Sequence, residues 1–364
     1  MFSGERLRQA RELRLMTQVD LAKRVGRSQG TIANIEGGFT QPPPDLAASL
    51  ASHTRFPLAF FSQEKRADFP LESLMFRSRA AATRREAVAA SKYAEIVFEA
   101  FQYLAGFVNT VPIQLRWLSN EPPHIAAQKT RRAFGLIPDK PIPHLIHEIE
   151  RSGVVVLAIP LNLPRIDAFS AWIGEGSLIP VITICEGRPG DRLRWNVAHE
   201  LGHLVLHHGA KHLSKENHRD ADRFAAELLL PEEGIRRDII PPVTLAGLAP
   251  LKAKWRVAIQ AIARRAYDLS IITKRQYTYL FEQIGARGWR TKEPENLDFP
   301  AEKPRALMKM AEVAFGNQTD PQTIGRATNL SQKMVADILN GYDSASEVHQ
   351  PQRHSSKVIA LYRP

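Results

Sequence analysis

Between Arg192 and Gly209 the chain reads RLRWNVAHELGHLVLHHG, and HELGH places His199 and His203 four residues apart with Glu200 directly after the first. Four residues is about one helical turn, so both imidazoles leave the same face of a helix. Two nitrogen ligands on one face are what a zinc ion needs from a single element, and Glu200 lies beside them as a general base for a water. Val197, Leu201, Leu204 and Val205 fill the other faces, so this helix is expected to be buried against a core. Two histidines at this spacing mean little by themselves. The full H-E-x-x-H on a buried helix is far more specific, and it requires the fold to deliver a third ligand while leaving one position for water.

The rest of the composition bounds the setting. With 364 residues the chain is too long for one small core, and two or three domains are expected. Apolar residues make up 44% and charged residues 24%, as in a globular protein. No apolar run approaches bilayer-spanning length, and the N-terminus lacks the charged-then-apolar pattern of a signal peptide, so no membrane association is expected. One cysteine, Cys185, excludes an internal disulfide framework and fits a reducing cytoplasm. It sits in the apolar run PVITIC and reads as a buried structural thiol. A formal charge of +11 and a pI near 9.8 favour an acidic partner such as nucleic acid, although basic residues also simply solvate a surface.

Residues 4–55 read as five short helices. Leu7, Ala10 and Leu13 share one face of the first. Thr17 caps a helix carrying Leu21, Ala22 and Val25, which Gly26 breaks; Ser28 caps another, Gln29 to Glu36, with Ile32 and Ile35 facing inward. Two short helices joined by a glycine-containing turn make a helix-turn-helix. The pattern TQ-x-x-LA-x-x-x-G-x-S-x-x-TI-x-x-IE from Thr17 to Glu36 closely resembles the phage-repressor-like (XRE-type) helix-turn-helix family. That resemblance implies that the second helix enters the major groove of double-stranded DNA, with Gln29, Gly30 and Asn34 facing base edges and Gln18 touching a phosphate. Thr31 is counted with this face. Gln and Asn suit adenine, and Arg27 and Lys23 suit phosphates. One such unit reads one half-site, so a homodimer is expected. A helical protein-interaction module of the same fold is the alternative.

A helix from Asp45 to His53 completes this unit, and PLAFF (57–61) reads as an exposed apolar run that docks on the next domain. The stretch 64–92 is rich in Arg and Lys and reads as a solvated linker turning into helix, with extra nucleic-acid contact as the rival reading. From Glu86 to Val108 the pattern is strongly helical, with Ile96, Phe98, Phe101, Leu104 and Phe107, and predicts a brace between the two ends of the protein. Two more helices follow at 125–134 and 142–152. VVVLAIP (154–160), DAFSAWIG (167–174) and PVITICEG (180–187) read as strands of a small sheet beside the HELGH helix. An edge strand there can pair with an extended substrate, and DAFSAW is assigned that role.

The third ligand is expected from HRDADRFAAELLLP (218–231), where Ala221, Phe224, Ala225, Leu228 and Leu229 recur at helical spacing and Pro231 stops the helix. HELGHLVLHH followed by AD-x-FAAELLLP resembles the ImmA/IrrE family of zinc metallopeptidases, whose members often carry an XRE-type unit at the N-terminus. The resemblance implies Zn²⁺ held by His199 and His203, Glu200 as catalytic base, and a glutamate three residues before Ala221 as the third ligand. This chain has His218 there instead. Histidine is itself a zinc ligand, so His218 ranks first, Asp220 second, and Asp222 and Glu216 behind. Asp222, four residues after His218 on the same face, can instead orient a ligand imidazole. His207 continues the 199–203 face and lines the cleft; His208 and His212 are expected at the surface.

The C-terminal third reads as helical. LKAKWRVAIQAIARRAYDLSIITKRQYTYLFEQI (251–284) predicts two amphipathic helices, GWRTKEPE (288–295) a loop, and Lys303 to Phe315 another helix. PQTIGRATNLSQKMVADILNGYD (321–343) has a helix-turn-helix look and reads either as a second DNA or protein module or as a plain helical bundle. HQPQRHSSKV is a polar link. The expected fold is α+β and mostly helical. An N-terminal all-α five-helix helix-turn-helix domain (1–62) leads through a basic linker and long helix (63–120) to a zincin-like metallopeptidase domain (121–240). A helical C-terminal region (241–364) follows. Family resemblance implies a DNA-associated regulatory zinc metalloprotease. It would cleave a repressor or antitoxin-like partner protein and switch on a stress or mobile-element response. The alternative is a transcriptional regulator whose metallopeptidase-like domain acts only as a sensor or protein-binding module.

Overall fold

The computed structural model describes residues 1–65, 69, 83–161, 163, 165–174, 178–210, 213–316 and 319–341. Most of the basic linker, His212 and the polar HQPQRHSSKV segment lie outside these residues.

The first four helices begin where a side chain or a proline can start them. Ser3 accepts from the Arg6 amide to open α1 (Gly4–Leu13), and Thr17 and Asp20 form a reciprocal capping box at α2 (Gln18–Arg24). Ser28 caps α3 (Gln29–Glu36), and Pro44 stands at the first position of α4 (Pro44–Thr54). A short 3₁₀ helix, Leu58–Ser62, is the fifth helical element. PLAFF does not dock on a later domain as expected. Phe60 and Phe61 are buried and pack back onto α1 and α4, and Phe61 stacks on Phe2 at 5.0 Å. The adjacent helices offer aromatic and aliphatic walls, so the run closes its own unit.

The long helix α5 (Arg84–Ala105) starts on a second capping box, Thr83 with Glu86. At 22 residues it extends about 33 Å. Helix α1 packs along it through Arg6–Glu99 at 2.9 Å and Gln9–Glu95 at 2.9 Å. Then come α6 (Pro123–Ala133), α7 (Leu145–Arg151), and strands β1 (Val155–Ile159), β2 (Ala168–Ile173) and β3 (Ile179–Cys185). The sheet order is β1-β3-β2, with β1 parallel and β2 antiparallel to β3; Val155 pairs with Val181 and Ala168 with Ile184. DAFSAW therefore forms an outer strand of the sheet.

Side chains alternate across the strands, so the sheet divides two cores. Val155, Leu157, Ile159, Phe169, Ala171 and Val181 face a core shared with α5, α1 and the last three helices. Val156, Ala158, Ala168, Ile182 and Ile184 face a second core built on α8 (Gly190–Leu206), which contains HELGH, and α9 (Lys215–Leu229). Cys185 lies in the first core, where burial pushes its thiol up to about 12 and keeps it protonated.

Helices α10 (Glu232–Asp238), α11 (Leu245–Trp255), α12 (Ile259–Asp268) and α13 (Lys274–Ala286) complete the second core. The stretch 251–284, expected to hold two helices, thus holds parts of three, the first of them starting at Leu245. Pro250 lies inside α11, where the hydrogen bond it forgoes is the one to Ala246 near the helix start. Arg256, in the left-handed conformation, separates α11 from α12. The last helices are α14 (Ala306–Phe315), α15 (Pro321–Thr328) and α16 (Gln332–Asn340). Among the described residues, sixteen α-helices and three strands make a mostly helical α+β fold. No described helix is long and apolar enough to cross a membrane.

Candidate metal centre and nucleic-acid interface

Helix α8 passes under the sheet, and its apolar side chains hold it there with Val197, Ala198, Leu201 and Val205 fully buried. His199 and Glu200 are only 5% and 2% exposed. Helix α9 starts on a capping box between Ser214 and Asn217, which fixes its first turn and places His218 there. It crosses α8 at very short range. A Cβ added to Gly202 would meet the Phe224 ring at 3.1 Å and the Ala221 Cα at 3.2 Å. The glycine of HELGH and the alanine of AD-x-FAA thus let two helices approach closely enough to share one site.

Three imidazole nitrogens meet at this crossing. His199 Nε2 lies 3.0 Å from His203 Nε2, which lies 3.1 Å from His218 Nδ1; the third side of the triangle is 3.5 Å. A divalent metal bound tetrahedrally at about 2.0–2.1 Å spaces its ligand nitrogens by about 3.3 Å, so the donor set fits such an ion. The outer edges of two rings agree with that role. Asp222 Oδ1 is 2.6 Å from His199 Nδ1, and His207 Nδ1 is 3.0 Å from His203 Nδ1. A carboxylate accepts, so His199 carries a proton on Nδ1, and Nε2 is the atom turned inward toward the other two imidazoles. Burial lowers the His207 pKa, which favours the neutral ring.

Of the alternative ligands, Asp220 pairs with Arg223 at 2.9 Å, and Glu216 pairs with Arg219 at 3.0 Å. Neither is part of the histidine cluster. His208 is not a plain surface residue: it stacks on Trp117 at 3.8 Å and meets the edge of Trp172, because the chain leaving α8 runs beneath those rings.

Sequence reasoning missed Ser170. It lies on β2, and its hydroxyl donates to Glu200 Oε2 at 2.6 Å. Two residues on, the Trp172 indole N–H donates to the Leu204 carbonyl at 3.1 Å. The signal was available in the alternation of DAFSAW, which puts positions 168, 170 and 172 on the helix-facing side; a lone hydroxyl there needs a polar partner on that helix. Beside His199 opens a cleft of about 710 Å³, bordered by Arg192, Trp195, Asn196, Asp222 and Trp289. Asp191 and Glu293 also border it, and behind them the buried Lys252 pairs with both. Burial opposes its charge, but Asp191 at 2.6 Å and Glu293 at 2.9 Å hold its pKa above the usual lysine range. The GWRTKEPE loop is thereby tied to the first turns of α8 and α12, since Glu293 also accepts from the Ile259 amide.

At the N-terminal unit, Gln29, Gly30 and Asn34 are exposed on α3, as is Arg27 just before it. Thr31 is half-buried and is engaged at the cap, its amide donating to Ser28 Oγ at 3.1 Å. Gln18 lies within a chain of side chains. Arg11 holds Glu36, Glu36 accepts from Gln18 at 2.8 Å, and Gln18 accepts from Gln29 at 2.7 Å. The first reading side chain is thus oriented from inside the unit. Arg84 and Arg85, from the start of α5, border a groove with Val19 and Gln29.

Residues 149–267 match a family described as the IrrE N-terminal-like domain, and residues 4–59 match one described as a helix-turn-helix domain. Together they match an ImmA/IrrE-type protein with an N-terminal helix-turn-helix. The chain therefore carries a metallopeptidase-type domain and a DNA-binding type of domain. No curated protein matches it.

Proposed function

We propose that this chain is a DNA-associated regulatory zinc metallopeptidase that cuts a repressor or antitoxin-like partner protein. The observation that carries the reading is the convergence of the His199, His203 and His218 nitrogens beside a buried, oriented Glu200. His199, His203 and His218 would hold a zinc ion, which would supply Lewis acidity toward a water and toward the scissile carbonyl. Glu200 accepts the proton of that water as it adds to the carbonyl carbon, then returns it to the leaving amine. Ser170 fixes the Glu200 carboxylate by donating to Oε2, and Asp222 and His207 fix the rings of His199 and His203. The partner's extended backbone adds along β2, whose Ser170 and Trp172 run beside the helix from Glu200 to Leu204. The exposed face of α3 holds the enzyme at a duplex, through Gln29 and Asn34 at base edges and Arg27 at phosphates.

The test uses the purified full chain, its zinc content, and the regulator encoded beside it as the candidate substrate. Wild type should bind one zinc and cut the regulator, while Glu200→Gln should bind zinc equally and leave the regulator whole. An intact regulator with zinc-loaded wild type would replace the peptidase reading with that of a sensor or protein-binding module attached to a transcriptional regulator.

A further inference from the structure

The described end of the chain repeats the build of the N-terminal reading unit with a constant offset and no gap. Ile324 takes the place of Leu21, Gly325 of Ala22, Val335 of Ile32 and Ile338 of Ile35, and all eight are buried. In the turns, Asn329 takes the left-handed conformation at φ 55 where Gly26 takes it at φ 65. Ser331 Oγ caps α16 by accepting from the Met334 amide at 3.2 Å, as Ser28 caps α3 from the Thr31 amide at 3.1 Å. The second turn is the tighter of the two: a Cβ on Gly325 would lie 2.8 Å from the Leu330 carbonyl oxygen, where the first unit accommodates Ala22. The outward pattern repeats too, with Gln332 and Lys333 exposed where Gln29 and Gly30 are.

We propose that α15 and α16 form a second nucleic-acid-reading unit, so that one chain contacts duplex DNA through two helix-turn-helix elements. This rests on the DNA-binding reading of the first. The face of the unit favours nucleic acid over protein. A protein-docking surface is anchored by large apolar or aromatic side chains, and among the described residues from 319 to 341 none of these is exposed. What the unit presents instead is Arg326, Gln332, Lys333 and Asn340. Lysine and glutamine are base-edge and phosphate groups, and Lys333 stands where the first unit has only the Gly30 backbone. Two departures set its character. Pro321 occupies the position of Gln18 and has neither that amide side chain nor an N–H. Asp337 replaces the exposed Asn34 but is half-buried and faces α5 closely enough to help raise the Tyr93 pKa, so the adenine-type contact has no counterpart in the second unit. Both units are seated in the core that α5 lines, so the second is held in fixed relation to the first.

The experiment measures binding of the full chain to duplexes selected from a random-sequence pool, across a salt series. The proteins compared are wild type, Lys333→Glu, Lys333→Ala, and Gln29→Ala with Asn34→Ala; circular dichroism confirms each fold. Lys333→Glu is expected to weaken binding about tenfold or more, and Lys333→Ala to lower the salt slope by about one. The Gln29→Ala, Asn34→Ala protein should lose a different part of the selected sequence preference. Binding unchanged by both Lys333 substitutions but lost with Gln29 and Asn34 overturns the second unit and leaves the first. A change in oligomeric state with DNA binding intact makes α15–α16 a protein-docking element and likewise overturns the proposal. A wild type that selects no duplex overturns both readings.

Discussion

On α8 the side chains assigned to chemistry are sunk in the core, and each touches a neighbour that orients it: Asp222 for His199, His207 for His203, Ser170 for Glu200. On α3, Gln29 and Asn34 stand in solvent, Gln29 steered from within the protein by Gln18, while Thr31 is half-buried and held at the helix cap by Ser28. The difference follows from where each partner comes from. A buried polar group must be satisfied in the folded chain itself, or its desolvation destabilises the fold. An exposed one waits for the ligand. Disturbing a neighbour should therefore matter at the metal centre, whereas at the reading helix the exposed residues themselves carry the effect.

The largest effect that could break this contrast is at Glu200. Glu200→Gln should lower the cleavage rate by roughly 10²–10⁴-fold while DNA affinity stays unchanged; a parallel loss of DNA binding would mean that the two ends are not separable functions. Next is a neighbour. Asp222→Ala should weaken zinc binding by about 10–100-fold, read by chelator competition, even though Asp222 itself is exposed. Third, Gln29→Ala and Asn34→Ala should each lower affinity for a selected duplex by about 1–2 kcal/mol, with zinc content unaltered, in a fluorescence titration.

The smallest effect concerns a carboxyl outside both sites. Burial pushes Glu150 up to about 7, although the amides of Ala306 and Arg305, at the start of α14, pull it down. The folded chain then holds this proton more tightly than the unfolded one, whose carboxyl titrates near 4.3. The stability Glu150 contributes is thus full below about pH 4.3 and is lost as pH rises through 7. Glu150→Gln should remove about 1–3 kcal/mol of that pH dependence, measured as urea midpoints at pH 5 and pH 8, with cleavage and DNA binding unaffected.

Much of this was legible in the residues. HELGH and the TQ…IE pattern are short-range signals, set by helical spacing and caps, and they specified α8 and the α2–α3 pair without help from the rest of the fold. His218 ranks first because it stands where the resembling family has its third-ligand glutamate, and the structure brings it together with His199 and His203. Ser170 was missed: the alternation of DAFSAW puts it on the helix-facing side, but its partner Glu200 lies thirty residues away, and the period does not name which helix residue it meets. PLAFF was misplaced for a related reason. An apolar run reports that it must be covered, but not by which surface, and α1 and α4 were nearer than any other domain. The start of α11 was missed because the helical pattern was read only from Leu251, whereas the helix begins at Leu245 and runs on through Pro250 in its interior.

The face of α5 from Ala87 to Leu104 lies against α1 at the reading end, against β1 of the sheet that also covers α8, and against α14. These three contacts share one set of buried side chains, so none can open alone without exposing surface that the others need. Whatever holds α1 in place, a bound duplex included, also raises the free energy of opening the wall behind the sheet. The helix thereby makes protection against proteolysis and denaturant a shared property of the elements that rest on it, rather than of any one of them.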